Sequence, residues 1–189
     1  NHCIHSQEAA STISTFWFYR AAGCNQPQLD PAATAVHGGA TLLHASGDTD
    51  TAFLQLQGAP PAGTVHAGSL LVPPAVGAPL ATLHHPGGDL LKLSQGSLQS
   101  YARCNGVSCT PTGDAGESNY LVLRWASGTT ESGSSGSPAM APWGSHRYVA
   151  GQLFAGSASC SFPDAPDYYG RFDKAYPSLR QWLGNVPGV

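Results

Sequence analysis

The chain has 189 residues, of which 41% are hydrophobic and only 10% charged, and its formal net charge is −3. That length can bury a sizeable core, as one domain or two small ones. The lack of a basic field argues against nucleic acid as a partner, and no run of about 18 apolar residues offers a membrane span. With 23 glycines and 15 prolines, about a fifth of the chain favours turns, hence short strands over long helices.

The chain opens Asn1-His2-Cys3, with no Met, no basic segment and no apolar segment. It is therefore expected to be a mature form, or to lack its front. Apolar residues then recur mostly with a period of two. Strands are expected at Ser11–Arg20, Ala40–His44, Thr51–Leu56, Leu80–His84 and Asp89–Ser94. Further strands are expected at Tyr120–Trp125, Ser137–Ala141, Tyr148–Phe154 and Tyr168–Phe172. The Gly/Pro/Ala-rich stretch 58–79 is the best linker candidate. Many short strands with Gly/Pro punctuation predict an all-β barrel or sandwich. Only the end reads differently. Pro177 near its start, apolar residues at 179, 182 and 183, and Gly184 after it predict a short helix over 176–184.

The five cysteines are Cys3, Cys24, Cys104, Cys109 and Cys160, an odd number that leaves at least one unpaired within the chain. Asn105-Gly106 is a turn signal between Cys104 and Cys109, compatible with a local disulfide and hence an extracellular or periplasmic setting.

Gly133-Ser-Ser-Gly-Ser-Pro138 is the most informative segment. A serine hydroxyl needs a base within reach and donors for the oxyanion that forms. Glycines beside Ser135 allow the tight curvature that turns backbone N–H groups outward. Taken alone, such a string is more often a flexible loop. A base would be one of eight histidines, and His2 sits beside Cys3 at the front. Asp50 enters an apolar strand, where an acid is expensive to bury unless it is hydrogen-bonded or paired. The order His2, Asp50, Ser135 is the His…Asp…Ser order of chymotrypsin-type barrels.

Here the pattern becomes specific. Asn1-His2-Cys3, Thr49-Asp50-x-x-x-Leu54-x-Leu56 and Thr130-Glu-Ser-Gly-Ser-Ser-Gly-Ser-Pro138 resemble the segments that carry the His, Asp and Ser of trypsin-like serine proteases. The nearest group is the bacterial secreted lysyl endopeptidases. His84-His-Pro86, Gly151-Gln-Leu153, Ser159-Cys-Ser161 and Asp167-x-Tyr169-Gly-Arg171 match in the same order.

The resemblance implies a chymotrypsin-like double β-barrel, its first barrel incomplete in this chain. Residues 1–65 would be the remainder of the first barrel. Residues 66–189 would be the second barrel and the terminal helix. It implies His2 as general base, Asp50 as its orienting carboxylate and Ser135 as nucleophile. The N–H groups of Gly133 and Ser135 would form the oxyanion hole. Leu153, Phe154, Ala155 and Gly156 would line the substrate backbone, and Asp167 would receive a substrate lysine. Cys3, Cys24 and Cys160 would each pair with a cysteine nearer the N-terminus than the catalytic His, leaving Cys104–Cys109 as the separate pair. The sequence departs from the family at Phe154, where the family has His, and at Ser132, where it has Pro. Tyr101 is the candidate for the aromatic near the family's indole stack.

The implied protein is a secreted, monomeric endopeptidase acting on proteins or peptides after lysine. No metal, cofactor, nucleic-acid partner or membrane contact is expected. Because of the missing front, the isolated chain is expected to be unstable and inactive. Competing readings are a protease preferring arginine or a small residue, a secreted β-sandwich binding module, and a non-catalytic relative. Among single residues, Asp48 reads as turn chemistry, Glu131 as an exposed or structurally paired acid rather than a contact for a basic substrate, and His84-His85 as structural, since neighbouring strand residues face opposite ways.

Overall fold

The computed structural model describes residues 1–106 and 108–183. The first regular element is a helix, α1 (Gln7–Ser11), where only the strand from Ser11 was expected. Ser6 is extended and its Oγ accepts the Ala9 N–H at 3.2 Å, an N-cap that starts the strong helix formers after it. Of the expected Ser11–Arg20 strand only β1 (Thr15–Trp17) forms, and Phe18, at φ +54°, follows its last residue. β1 pairs antiparallel with β2 (Thr34–Val36). β3 (Ala40–Ser46) and β4 (Thr51–Leu56) form a second antiparallel hairpin, close to the expected ranges.

Every later strand belongs to one sheet: β5 (Gly68–Ser69), β6 (Pro79–His84), β7 (Lys92–Asn105), β8 (Ser108–Thr112), β9 (Tyr120–Ser127), β10 (Pro138–Trp143), β11 (His146–Gly156) and β12 (Asp167–Arg171). The order β6-β7-β9-β12-β11-β10 returns to β6 through Met140 opposite Ala81, so six antiparallel strands close a barrel. A closed barrel, rather than a sandwich, leaves few free edges. β5 adds to β11 in parallel, and β8 folds back on β7 as a hairpin in which Cys104 faces Cys109. Those two cysteines form the expected disulfide.

Three further expectations change. The 89–94 strand begins only at Lys92, after a 3₁₀ turn at Pro86–Gly88, and continues to Asn105. It bends at Gly96, where any side chain would overlap the Arg124 carbonyl. Local alternation does not reveal such a bend, because the closeness belongs to the neighbouring strand. The 58–79 stretch is not a free linker throughout, since Gly68-Ser69 pairs with β11 and Leu70 is buried in the core. The C-terminal helix α2 (Phe172–Leu183) starts four residues before the expected Tyr176 and holds Pro177 inside. Reading Pro177 as a start signal missed the preceding turn. The expected end at Gly184 lies outside the described residues.

The larger core cluster joins Leu80, Leu98, Leu121, Leu123, Trp125, Leu153 and Tyr169, and all its buried members lie at residue 70 or beyond. No helix among the described residues is long and apolar enough to cross a membrane.

Candidate active site

The four-residue turn between β3 and β4 delivers Asp50. This residue is only 3% exposed and sits at φ +52°, a left-handed conformation that Asp tolerates better than most residues. Its Oδ1 accepts the His2 backbone N–H at 2.7 Å, and its Oδ2 lies 2.5 Å from His2 Nδ1. A carboxylate acceptor at Nδ1 leaves Nε2 of the neutral ring as a proton acceptor. The Phe154 ring meets the imidazole edge-on at 5.9 Å between centroids, and Tyr120 packs behind Phe154 at 5.1 Å. Phe154 is thus the aromatic neighbour of His2. Tyr101, the candidate for the family's indole-stack aromatic, is buried in the barrel core, under the Arg171 guanidinium.

This corner is tied to the barrel by polar contacts. Gln152 Nε2 donates to the Thr49 carbonyl at 2.6 Å and to Thr51 Oγ1 at 3.0 Å. Asn119 donates to the Asp48 carbonyl, while the Asp48 side chain stays exposed in its turn. Gly170 is required where it stands, because a Cβ would overlap the Thr49 carbonyl.

Ser135 is exposed at the tip of the loop between β9 and β10. It lines two adjoining cavities. One, of about 420 Å³, also holds His2, Asp50 and Gln152. The other, of about 220 Å³, is lined by Thr130, Glu131, Leu153, Phe154, Gly156 and Asp167 among others. Among the described residues no hydrogen bond joins His2 to the Ser135 hydroxyl; catalytic hydrogen bonds are often long before substrate binds. The N–H groups of Gly133 and Ser135 donate to no protein acceptor among the described residues, whereas Ser134, Gly136 and Ser137 all do. Gly133 has φ +92°, where a side chain is strained, and a Cβ there would also press tightly on the Gly87 amide.

Asp167 is 1% exposed at the start of β12. Its Oδ2 accepts from Trp125 Nε1 at 2.7 Å and from Thr130 Oγ1 at 2.5 Å. Burial pushes its carboxyl above the usual range, partly offset by those two donors and the Ala158 amide. Gly156 has no room for a side chain, since a Cβ would overlap Asp167 Oδ1. β11 pairs with β10 only as far as Gln152, and Ala155 and Gly156 beyond it are exposed.

Glu131 accepts the Cys160 N–H at 2.6 Å, which holds its carboxyl below the usual range, as a structurally paired acid should. His84 is buried and His85 is not, with no shared ligand position. Cys3, Cys24 and Cys160 are exposed and form no disulfide among the described residues. The motifs did not reveal Trp125 and Thr130 as Asp167's donors, Gln152 as the tie to the Asp50 turn, or Tyr120 behind Phe154. Only Thr130 carried a signal, its place at the head of the Ser135 motif.

The six-stranded barrel with its terminal helix is the architecture of chymotrypsin-like proteases. The active form of the protease Rv3671c from Mycobacterium tuberculosis matches with a TM-score of 0.54 at 18% identity, over 83% of this chain and 65% of that one. An inactive form of the same protein matches with a TM-score of 0.52 at 19% identity, over 83% and 73%. Residues 1–170 match the family described as lysyl endopeptidase, C-terminal domain, and the chain belongs to that family. The lysyl endopeptidase of Pseudomonas aeruginosa is 32% identical over 187 residues, which is 96% of this chain and 38% of that protein. The chain therefore spans well under half the length of that curated relative.

Proposed function

We propose that the chain carries the machinery of a secreted serine endopeptidase that cleaves after lysine through an acyl-enzyme. One observation carries the reading: Ser135 stands at the junction of the His2–Asp50 cavity and the Asp167 cavity. A bond held at Ser135 thus has a base on one side and a buried anion on the other. Residues 1–65 supply the base and its acid in this reading, and residues 66–189 the nucleophile and pocket.

Ser135 Oγ attacks the scissile carbonyl while His2 Nε2 takes its proton. Asp50 holds the Nδ1–H and stabilises the imidazolium. The carbonyl oxygen turns toward the free N–H groups of Gly133 and Ser135, each such donor contributing about 2.7–4 kcal/mol of transition-state stabilisation. His2 then protonates the leaving amine, and water repeats the sequence on the acyl-enzyme. The substrate backbone lies along the free edge of β11 at Phe154–Gly156 as an added strand. Leu153, whose N–H and carbonyl are taken by Ser137 and Gly136, lines the pocket instead.

Lysine is favoured over arginine by how Asp167 is already occupied. Both side-chain donors are on Oδ2. A guanidinium fork needs both oxygens side by side, whereas a compact ammonium needs one acceptor. The free, desolvated carboxylate gains from a cation that neutralises it.

The test is to treat the full-length protein with a serine-directed phosphonate carrying a lysine-like side chain, beside Ser135→Ala. Ser135 should be labelled, and the variant should lose peptide hydrolysis by several orders of magnitude. Hydrolysis surviving in the variant would refute the assignment. Labelling with an arginine-like phosphonate at an equal or greater rate would overturn the preference alone.

A further inference from the structure

Behind Ser135 lies a second histidine–serine pair that this mechanism does not use. His84, on β6, is 2% exposed, and Ser134 and Ser94 are 1% exposed each. His84 Nδ1 is 2.8 Å from Ser134 Oγ, and His84 Nε2 is 3.1 Å from Ser94 Oγ. Ser94 Oγ also lies 3.0 Å from the Thr129 carbonyl, and Ser134 Oγ accepts the Glu131 N–H at 3.2 Å.

These partners admit one direction of donation. The Thr129 carbonyl can only accept, so the Ser94 hydroxyl donates to it and accepts from His84 Nε2–H. Neutral His84 then presents Nδ1 as an acceptor, and the Ser134 hydroxyl donates to it. The chain runs from the Glu131 N–H through Ser134, His84 and Ser94 to the Thr129 carbonyl, with every group satisfied. A charged ring would aim a second N–H at Ser134 Oγ and strand that hydroxyl's proton. Burial also pushes the His84 ring toward neutrality, with His85 beside it acting the same way.

We propose that His84 is a positioning residue that sets the Ser135 loop, through Ser134, in its single-tautomer neutral form. This inference rests on the protease reading above. Ser134 directly precedes the nucleophile and lies between the two N–H groups assigned to the oxyanion. The chain ties this residue to Thr129, next to the Thr130 that holds Asp167. The same segment braces the loop a second time, where the Gly87 N–H donates to the Ser132 carbonyl at 2.7 Å. A small displacement of an oxyanion donor or nucleophile is enough to slow acylation by about 100-fold.

The experiment uses the full-length protein, its active sites counted by the phosphonate. Ser134→Ala and His84→Ala should lower kcat by about 10- to 100-fold. The inhibition constant of butylamine, which occupies only the Asp167 pocket, should stay within about twofold. His84→Asn, whose Oδ1 replaces the Nδ1 acceptor, should recover part of the loss. Unchanged kcat in the variants, or butylamine binding lost in step with kcat, overturns the inference. Imidazole ¹⁵N NMR of the unsubstituted protein tests it without any variant. A neutral Nε2–H ring for His84 at pH 7 supports it, and an Nδ1–H or charged ring overturns it. If the unsubstituted protein neither takes the phosphonate nor hydrolyses peptide, the protease reading itself has failed. Normal labelling with an indifferent Ser134→Ala removes only the role of His84.

Discussion

The two sides of the cleft are built differently. Ser135 and Asp167 stand on a closed six-stranded barrel whose buried clusters lie wholly at residue 70 and beyond. Asp50 stands in the turn of the two-stranded β3–β4 ladder, and His2 in the irregular segment before α1. They are joined to the barrel by Gln152, Asn119, Phe154 and the close approach of Gly170. A closed barrel keeps its geometry through apolar packing from many strands, whereas a hydrogen-bonded corner depends on a few contacts of about 1 kcal/mol each. The difference teaches that pocket and nucleophile should tolerate damage that disorders the base.

The largest effect on the ladder side should come from Asp50→Asn. The geometry would survive but the tautomer of His2 would not, and kcat should fall by about 10⁴-fold. A loss of less than tenfold, measured on titrated sites, would remove Asp50 from its role. On the barrel side, Asp167→Asn should abolish cleavage after lysine while leaving Ser135 reactive to an uncharged phosphonate.

The same variant has a signature in stability. The folded-state pKa of Asp167 is raised by burial, so its favourable contribution is full below its unfolded pKa, about 3.9. That contribution is lost as pH rises through the folded value. Once the carboxyl ionises, the buried charge destabilises the free protein. The melting temperature of Asp167→Asn relative to the unsubstituted protein should therefore climb between pH 4 and pH 7. A flat difference would mean the carboxyl is not desolvated.

A smaller effect is expected from Gln152→Ala. It removes two hydrogen bonds to the Asp50 turn, worth about 1 kcal/mol each. The kcat should fall several-fold with butylamine binding unchanged. Equal damage to both would mean the two sides are not separable. Smallest is the Cys104–Cys109 bridge, which closes a hairpin already paired in register. Its replacement by two serines should destabilise by less than the usual 2–4 kcal/mol, since the loop is short. A larger drop in denaturant midpoint would assign the bridge a longer-range role.

His2, Asp50, Ser135 and Asp167 stood out as candidates because each sits in a short motif, and the fold gathers all four around two joined cavities. The all-β class and the Cys104–Cys109 bridge were legible too, from alternation and from one turn signal. Other features were hidden for physical reasons. α1 was missed because its Ser6 cap is a weak local cue beside a β-rich run. The length of β7 was missed because its bend at Gly96 answers to a strand nearly thirty residues away. Trp125 and Thr130 on Asp167, and His84 on Ser134, pair residues 37 to 50 positions apart.

By itself the sequence determined what local spacing can encode: strand class, the disulfide hairpin, the Gly-Ser turn and the chemical types available to a site. Only the tertiary structure decided which side chains donate to Asp167, which hydroxyls flank the His84 ring and which ring packs on His2. Those choices depend on groups that meet only once the barrel has closed, and no local pattern specifies a partner brought in from another strand.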